Sequence, residues 1–173
     1  METFCVVATG PSLTQQQVDS VRDRCKVVVV SDAYRLAPWA DALASTDAAW
    51  WKAHPDALEF PGRKFGIIHD FQGVTGVETL HVDTGTNSGL LGIMVAVKMG
   101  AKRVLLLGFD LHSPGDHFFG RHPKPLKSTP PKRMEDFKRQ FANYKPRGVE
   151  IVNCTVGSEL HCYRKALIEN CIP

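Results

Sequence analysis

The 173-residue chain contains no apolar run close to the roughly 20 residues that a membrane-spanning helix needs. Its first residues also lack the basic stretch and apolar core that are typical of a secretory signal. We therefore expect a cytoplasmic protein without a membrane span. Its five cysteines show no Cys-x-x-Cys spacing, which argues against a disulfide framework or a zinc site and favours buried thiols.

Several nucleotide and metal fingerprints are missing as well. The chain has neither Gly-x-Gly-x-x-Gly nor Gly-x-x-x-x-Gly-Lys-Ser/Thr, so dinucleotide dehydrogenases and P-loop NTPases lose their usual signatures. His-Glu-x-x-His and other close metal-ligand spacings are also absent, so the sequence predicts no metal site.

The chain has only a small net excess of positive charge, but one segment is strongly basic. The net charge is only +3, yet the segment 121–147 holds nine Lys or Arg residues against two acids, a local charge of +7. Such a segment favours an anionic partner, which could be a phosphate-bearing ligand, an acidic acceptor or nucleic acid. For its Lys138 and Arg139 end, a solvated helix face is an equally good interpretation.

The order of patterns predicts the fold class. The length suits one domain, residues 1–173, and short apolar runs alternate with helical patterns along it. That alternation predicts a Rossmann-like, doubly wound α/β domain with a mainly parallel sheet. Expected strands cover 4–8, 25–30, 41–47, 64–68, 78–82, 104–107 and 149–152.

A tight turn follows the first predicted strand and precedes a helix through Val18 and Val21. In this turn Gly10 lets the backbone approach a ligand, and either Ser12 or Thr14 can cap the helix. The N–H groups of such a turn and the helix dipole favour an anion. The turn residues Thr9, Gly10, Pro11 and Ser12 are therefore candidate ligand contacts.

Further candidates follow later strands. Asp32 comes after the second strand, where an acid often binds ribose hydroxyls, and Asp47 ends the third. Asn87, Ser88 and Gly89 open a predicted helix over 88–99. Asp110 follows the buried run 104–107, so it is expected at the ligand crevice of an open sheet. A brief helix is also expected over 48–52.

The segment 111–132 is irregular, and a loop of this length in a compact domain is typical of a lid or binding segment. It contains His112, His117 and His122, which can act as bases near neutral pH. A surface loop that happens to contain histidines is the alternative. An amphipathic helix over 133–144 follows, and a terminal helix is predicted to open at Gly157 and Ser158.

Four short motifs occur in order along nearly the whole chain. They are Thr9-Gly10-Pro11-Ser12-Leu13, Asn87-Ser88-Gly89, Leu107-Gly108-Phe109-Asp110 and Asn153-Cys154-Thr155-Val156-Gly157-Ser158. Together they resemble the nucleotide-binding fold of the bacterial lipooligosaccharide sialyltransferases. A similar set occurs in proteins related to the archaeal 6-hydroxymethylpterin diphosphokinases.

The resemblance implies roles for individual residues. In the sialyltransferases the matching turns bind the cytidine monophosphate part of the donor, which implies the same for Gly10, Pro11, Ser12, Ser88, Gly89, Asn153 and Ser158. The family's general base is a histidine in a His-Tyr-x-Gly-His type stretch of the lid. The similar stretch 117–122 makes His117 the preferred base and His122 the reserve.

The chain departs from that family at several places. Thr9 and Asp32 stand where the family usually has Asn, and an acid at the second place would repel a phosphate but could hold a ribose. Phe118 replaces a lid tyrosine, and the lid segment has no tyrosine at all. We therefore expect Arg121 or Lys124 to compensate the charge of the leaving phosphate.

Three functional hypotheses result. The resemblance implies a nucleotide-sugar-dependent glycosyltransferase that binds CMP or a CMP-sugar and requires no cofactor. The diphosphokinase relationship implies an ATP-dependent enzyme that needs Mg²⁺, with Asp32, Asp47 or Asp110 near the metal. The third hypothesis is a noncatalytic nucleotide- or anion-binding protein that uses the basic segment.

Overall fold

Eight parallel strands form one sheet in the computed structural model, which describes residues 1–67, 74–112, 117–124, 126 and 129–172. The strands are β1 (Thr3–Val7), β2 (Lys26–Val30), β3 (Ala42–Ala44), β4 (Arg63–Ile67), β5 (Glu78–Leu80), β6 (Arg103–Leu107), β7 (Glu150–Asn153) and β8 (Arg164–Lys165). Every pairing between neighbours is parallel. The predicted α/β class is confirmed.

The strand order places a reversal at the middle of the sheet. From one edge to the other the order is β5-β4-β3-β2-β1-β6-β7-β8. The chain thus builds outward from β1 to β5 and then returns to lay β6 on the other side of β1. The loops that leave β1 and β6 diverge, and in open α/β sheets this divergence creates the ligand crevice.

Helices cover both faces of the sheet. They are α1 (Gln15–Val21), α2 (Ala48–Ala53), α3 (Pro55–Leu58), α4 (Ser88–Lys98) and α5 (Pro131–Asn143), with short 3₁₀ helices at Ser31–Arg35 and Ile168–Asn170. Buried residues of α1, α2 and α3 join one core cluster, and those of α4 and the Phe141 side chain of α5 join the other. The sheet is therefore doubly wound, as predicted.

The central strands alternate between these two clusters. In β1, Cys5 and Val7 belong to the first cluster, whereas Phe4 and Val6 belong to the second. Successive side chains of a strand point to opposite faces, so a strand covered on both faces needs apolar residues at every position. This is why the apolar runs of the sequence are continuous instead of alternating.

The predicted terminal helix is wrong. Residues 154–163 form turns that lead into β8 and then the last 3₁₀ helix. The Ser158 hydroxyl does not cap a helix, because it donates to the Phe109 carbonyl at 2.5 Å and accepts from the Asn153 amide at 2.9 Å. Gly157 has a positive φ of 73°, which suits a turn and not a helix start.

The predicted lid, 111–132, lies partly outside the described residues. Within it the structure describes 111–112, 117–124, 126 and 129–132. The helix predicted over 133–144 begins two residues earlier, at Pro131, and ends at Asn143. Proline suits the first turn of a helix because its missing N–H is not needed there. In the described part of the chain, no helix is long and apolar enough to cross a membrane.

Gly92 allows α4 to lie close to the sheet. A Cβ added at this position would come within 2.7 Å of Val30 Cγ2 and 2.9 Å of Val6 Cγ1. These valines belong to β2 and β1, and a β-branched side chain inside a packed sheet has little rotamer freedom. At Gly92 the helix α4 therefore packs against the sheet with no space for a side chain.

We predict that Gly92→Ala lowers the free energy of unfolding by about 1–3 kcal/mol, because overpacking outweighs the better helix propensity of alanine. Urea unfolding measures the change. Lys98→Ala, at an exposed position near the end of the same helix, is the control and should shift the value by less than about 0.5 kcal/mol. A Gly92→Ala protein more stable than the wild type would contradict the close packing.

Candidate functional site

A cavity of about 720 Å³ opens at the carboxyl ends of β1, β2, β3 and β6. It lies at the reversal of the strand order, and its volume is within the range of small-molecule sites. Its wall is formed by the turns after these strands, the first residues of α4, part of α5 and the described lid residues His117 and His122. Most of the predicted contacts meet here.

The turn after β1 packs directly on the acid that follows β6. A Cβ on Gly10 would lie 1.8 Å from Asp110 Oδ2 and 2.4 Å from the Gly108 carbonyl oxygen. Two hydrogen bonds hold the same contact: the Gly10 N–H donates to Gly108 O at 2.8 Å, and the Ser12 N–H donates to Asp110 Oδ1 at 3.2 Å. Only glycine fits at position 10.

This contact changes the interpretation of the first turn. The sequence predicts an anion bound by the turn's N–H groups, yet the Ser12 N–H is donated to the Asp110 carboxylate. The Thr14 hydroxyl and the Gln17 side chain form a capping box at the start of α1. Thr9, Gly10 and Pro11 line the cavity, whereas Ser12 is not part of its wall.

Asp110 belongs to the cavity wall, and one of its carboxylate oxygens is not hydrogen-bonded within the part of the chain that the structure describes. Its side chain is 3% exposed, it lines the wall, and its Oδ2 atom has no hydrogen-bond partner among the described residues. Buried polar atoms are nearly always hydrogen-bonded, so this exception makes Asp110 a candidate contact for a ligand. A carboxylate oxygen accepts hydrogen bonds, so hydroxyl or amine donors suit this position.

The start of α4 is cross-linked to its surroundings. Asn87 caps the helix by accepting the Leu90 N–H at 3.0 Å, and its amide donates to Gln140 of α5 at 3.0 Å. The Ser88 hydroxyl accepts the Thr46 N–H at 3.0 Å. Asn87, Ser88 and Gly89 all line the cavity, as predicted from their place before a helix.

Arg133 brings a cation to this helix start. Its Nη1 donates to the Thr86 hydroxyl at 2.9 Å, two residues before α4 begins, and it lines the cavity. A guanidinium beside a helix N-terminus makes a corner that favours an anion. We call Arg133, Thr86 and the first turn of α4 the anion corner.

Sequence reasoning counted Arg133 in the basic segment but selected Arg121 and Lys124, which are exposed and do not line the cavity. One signal could have identified it. Arg133 stands in the first turn of α5, where the helix dipole disfavours a cation, so a local stabilising role was a poor explanation.

The far end of the basic segment is paired. Lys138 forms ion pairs with Glu135 and Glu159, both at 2.9 Å, and Arg139 pairs with Asp136. Such pairs on a helix surface contribute little to stability, but they neutralise part of the local charge. This end fits the alternative interpretation of a solvated helix face.

The described lid residues dock on Thr9. The Phe118 N–H donates to the Thr9 carbonyl at 2.9 Å, and His117 Nδ1 lies 2.8 Å from the Thr9 hydroxyl. The His117 ring stacks on Phe119, with centroids 4.9 Å apart and an angle of 4° between the planes. His117 and His122 both line the cavity, and their ring centroids are 4.5 Å apart.

Asp32 lies behind the cavity wall and is not part of it. It is 3% exposed, and its Oδ2 accepts the Trp50 indole N–H at 2.9 Å. Its Oδ1 lies 3.4 Å from His54 Nε2 and 3.6 Å from an Arg35 guanidinium nitrogen. The predicted ribose contact is therefore not seen, because tertiary packing turns this carboxylate toward Trp50.

His122 is the lid residue that reaches Asp32. Its Nδ1 is 4.0 Å from Asp32 Oδ2 and has no hydrogen-bond partner among the described residues. Burial lowers the pKa of His122, because an imidazolium loses hydration there, while the Asp32 charge raises it by a smaller amount.

Asn153 and Ser158 do not line the cavity. Their side chains hydrogen-bond to each other, and the Asn153 amide also donates to the Leu160 carbonyl at 3.0 Å. These bonds connect the loop after β7 to the end of β6 through Phe109. Both side chains therefore stabilise the loop after β7. Ligand binding by Asn153 and Ser158 stays a prediction.

Two residues that sequence reasoning missed share an uncommon backbone conformation. Ser31 and Leu111 have positive φ values of 46° and 53°, and both line the cavity. Outside glycine such conformations cost energy and concentrate at functional sites. The Ser31 hydroxyl also donates to Ser45, another residue of the wall, at 3.2 Å. No sequence pattern marks either position.

Within the described ranges, no group of three or more His, Cys, Asp or Glu side chains converges as a metal site would. Comparisons of the chain with known proteins find no matching family model, no matching curated protein and no matching solved structure. The geometry and chemistry of the cavity are therefore the basis for a functional proposal.

We predict that Gly10→Ala destabilises the protein by about 1–3 kcal/mol or more, because the added methyl group collides with the Asp110 carboxylate and the Gly108 carbonyl. Thermal unfolding followed by circular dichroism measures the loss. Pro11→Ala, at the exposed next position, is the control and should change stability by less than about 1 kcal/mol. Equal stability of the Gly10→Ala variant and the wild type would show that the contact relaxes freely.

Proposed function

We propose that the cavity binds a nucleotide or nucleotide-sugar and that the chain is a glycosyltransferase, with a CMP-sugar as the leading donor. The observation that carries this proposal is that three groups of different chemical character line the same cavity. They are the anion corner, the unpartnered Asp110 oxygen and the lid histidines. A nucleotide-sugar has a phosphate for the anion corner, hydroxyl groups for Asp110 and a reacting centre for the lid histidines.

The anion corner suits the donor phosphate. Arg133 supplies a full positive charge, and the N-terminus of α4 supplies a partial one. The charge that develops on a departing phosphate would be stabilised here without a metal. Asp110 would take sugar or ribose hydroxyls, since its free oxygen can only accept.

The lid histidines suit proton removal. In the proposed reaction the acceptor oxygen forms a bond to the anomeric carbon as the bond from that carbon to the phosphate oxygen breaks. The proton of the acceptor hydroxyl passes to a lid imidazole, and the nucleotide leaves with the bonding electrons. His117 and His122 both face the cavity from the lid, so either can receive it.

We predict that isothermal titration with CMP shows metal-independent binding at the cavity, and that UMP, GMP, ATP and a pterin bind more weakly. Binding of ATP that depends on Mg²⁺ would instead favour the diphosphokinase. CMP binding without turnover of CMP-sialic acid would favour the noncatalytic hypothesis. Absence of binding to every ligand would contradict nucleotide recognition by this cavity.

Arg133→Gln should weaken CMP binding by about 10- to 150-fold, because a charge-assisted hydrogen bond to phosphate is worth roughly 1.5–3 kcal/mol. Lys132→Gln is a matched control. It removes the same charge from the adjacent residue, which is exposed and does not line the cavity, and its affinity should stay within about twofold of the wild type. Equal losses in both variants would mean that only the overall charge matters.

A further inference from the structure

A buried carboxylate stands directly behind one of the two lid histidines. His122 lines the cavity, and its Nδ1 is 4.0 Å from Asp32 Oδ2. The side chains of Asp32 and His122 are 5% and 15% exposed, so both groups are largely shielded from solvent. An electrostatic interaction in such a place is much stronger than one in water.

The carboxylate is held in place by other residues. Trp50 donates its indole N–H to Oδ2, while His54 and Arg35 lie beside Oδ1. The Trp50 carbonyl can only accept, so the proton between it and His54 Nδ1, 2.8 Å away, belongs to the histidine. This network holds the Asp32 carboxylate, with Oδ2 4.0 Å from His122 Nδ1.

We infer that Asp32 is a positioning residue for His122, and that His122 is the group that accepts the proton in the transfer step. The inference rests on the proposed function for the chemistry, but the pairing of the two side chains does not. It differs from the resemblance, which implies His117 as the preferred base.

The Asp32–His122 pair resembles the histidine bases of other enzymes that a neighbouring carboxylate orients. With its proton on Nδ1 and directed at Asp32, His122 keeps a basic Nε2. When Nε2 takes the acceptor proton, the new imidazolium is stabilised by the carboxylate. The 4.0 Å separation is longer than a hydrogen bond, and such contacts often tighten only when substrate is bound.

Other charged groups also face His122. Asp47 raises its pKa by a smaller amount than Asp32 does, His54 lowers it, and the His117 ring is 4.5 Å away. Asp47 is exposed and caps α2, so it is a useful comparison for Asp32. Both are aspartates near the same histidine, but only Asp32 is buried against it.

The pairing is tested first by NMR titration of the histidine rings in the full chain. Asp32→Asn should move the titration midpoint of His122 to lower pH, because the imidazolium loses its negative partner. Asp47→Asn should move it less, and Asp32→Glu should restore it toward the wild type. An unchanged midpoint in Asp32→Asn, or an equal shift in Asp47→Asn, would overturn the pairing.

A measurement on the wild type covers the case in which Asp32→Asn does not fold. Long-range ¹H–¹⁵N correlation identifies the tautomer of each neutral histidine. We expect His122 to carry its proton on Nδ1 above its titration midpoint. A dominant Nε2–H tautomer would contradict orientation by Asp32.

Turnover then tests the catalytic part, with hydrolysis of CMP-sialic acid as the probe. His122→Gln should lower kcat by ~100-fold or more with KM within a few fold, and His117→Gln should lower kcat less. Asp32→Asn should lower kcat and move the acid limb of the pH profile to lower pH, a change that a merely structural role would not produce.

The outcomes separate the two proposals. Loss of turnover in His117→Gln with turnover retained in His122→Gln would overturn the assignment of the base but leave the glycosyltransferase proposal intact. A wild type that neither binds CMP nor hydrolyses the probe would overturn the catalytic role of His122. The NMR results would still decide whether Asp32 and His122 are paired.

Discussion

The structure depends on the contact between the Gly10 backbone and the Asp110 carboxylate. It joins the turn after β1 to the end of β6, the two strands between which the sheet order reverses. Because no side chain fits at position 10, the backbone itself lies against the carboxylate. The same acid accepts the Ser12 N–H, and its carbonyl accepts the Glu159 N–H at 2.9 Å, so three loops meet at one residue. These contacts fix the relative positions of the three loops at the floor of the cavity.

Around this floor the cavity combines parts with different chemistry. The anion corner gathers positive charge at the start of α4, and Asp110 offers an acceptor with one free oxygen. The described lid residues His117 and Phe118, more than 100 residues later in the chain, contact Thr9. One ligand that carries a phosphate and several hydroxyl groups would satisfy all three. This combination is the basis of the proposal that the cavity binds a nucleotide-sugar.

Some of the candidate residues followed directly from local patterns. Asn87 and Asp110 were found because a polar residue after a buried strand or before a helix lies at the crevice edge of any open parallel sheet. Others depended on packing that no local pattern reveals. Asp32 also follows a buried strand, but its carboxylate accepts the Trp50 indole N–H and does not line the cavity. Arg133 reaches the wall because α5 crosses the start of α4, and the predicted terminal helix fails because the Ser158 hydroxyl bonds to Phe109.

The sequence by itself determined the doubly wound sheet, the approximate positions of its central strands and the place of the turns that form the cavity wall. These features follow from apolar periodicity, glycine sterics and helix capping, all of which act over a few residues. Only the tertiary structure decided that Asp110 lines the cavity while Asp32 does not, that Arg133 completes the anion corner and that His122 lies beside Asp32. Those relations join side chains as far apart in the chain as Asp32 and His122, so they are set by packing between distant segments and leave no local mark in the sequence.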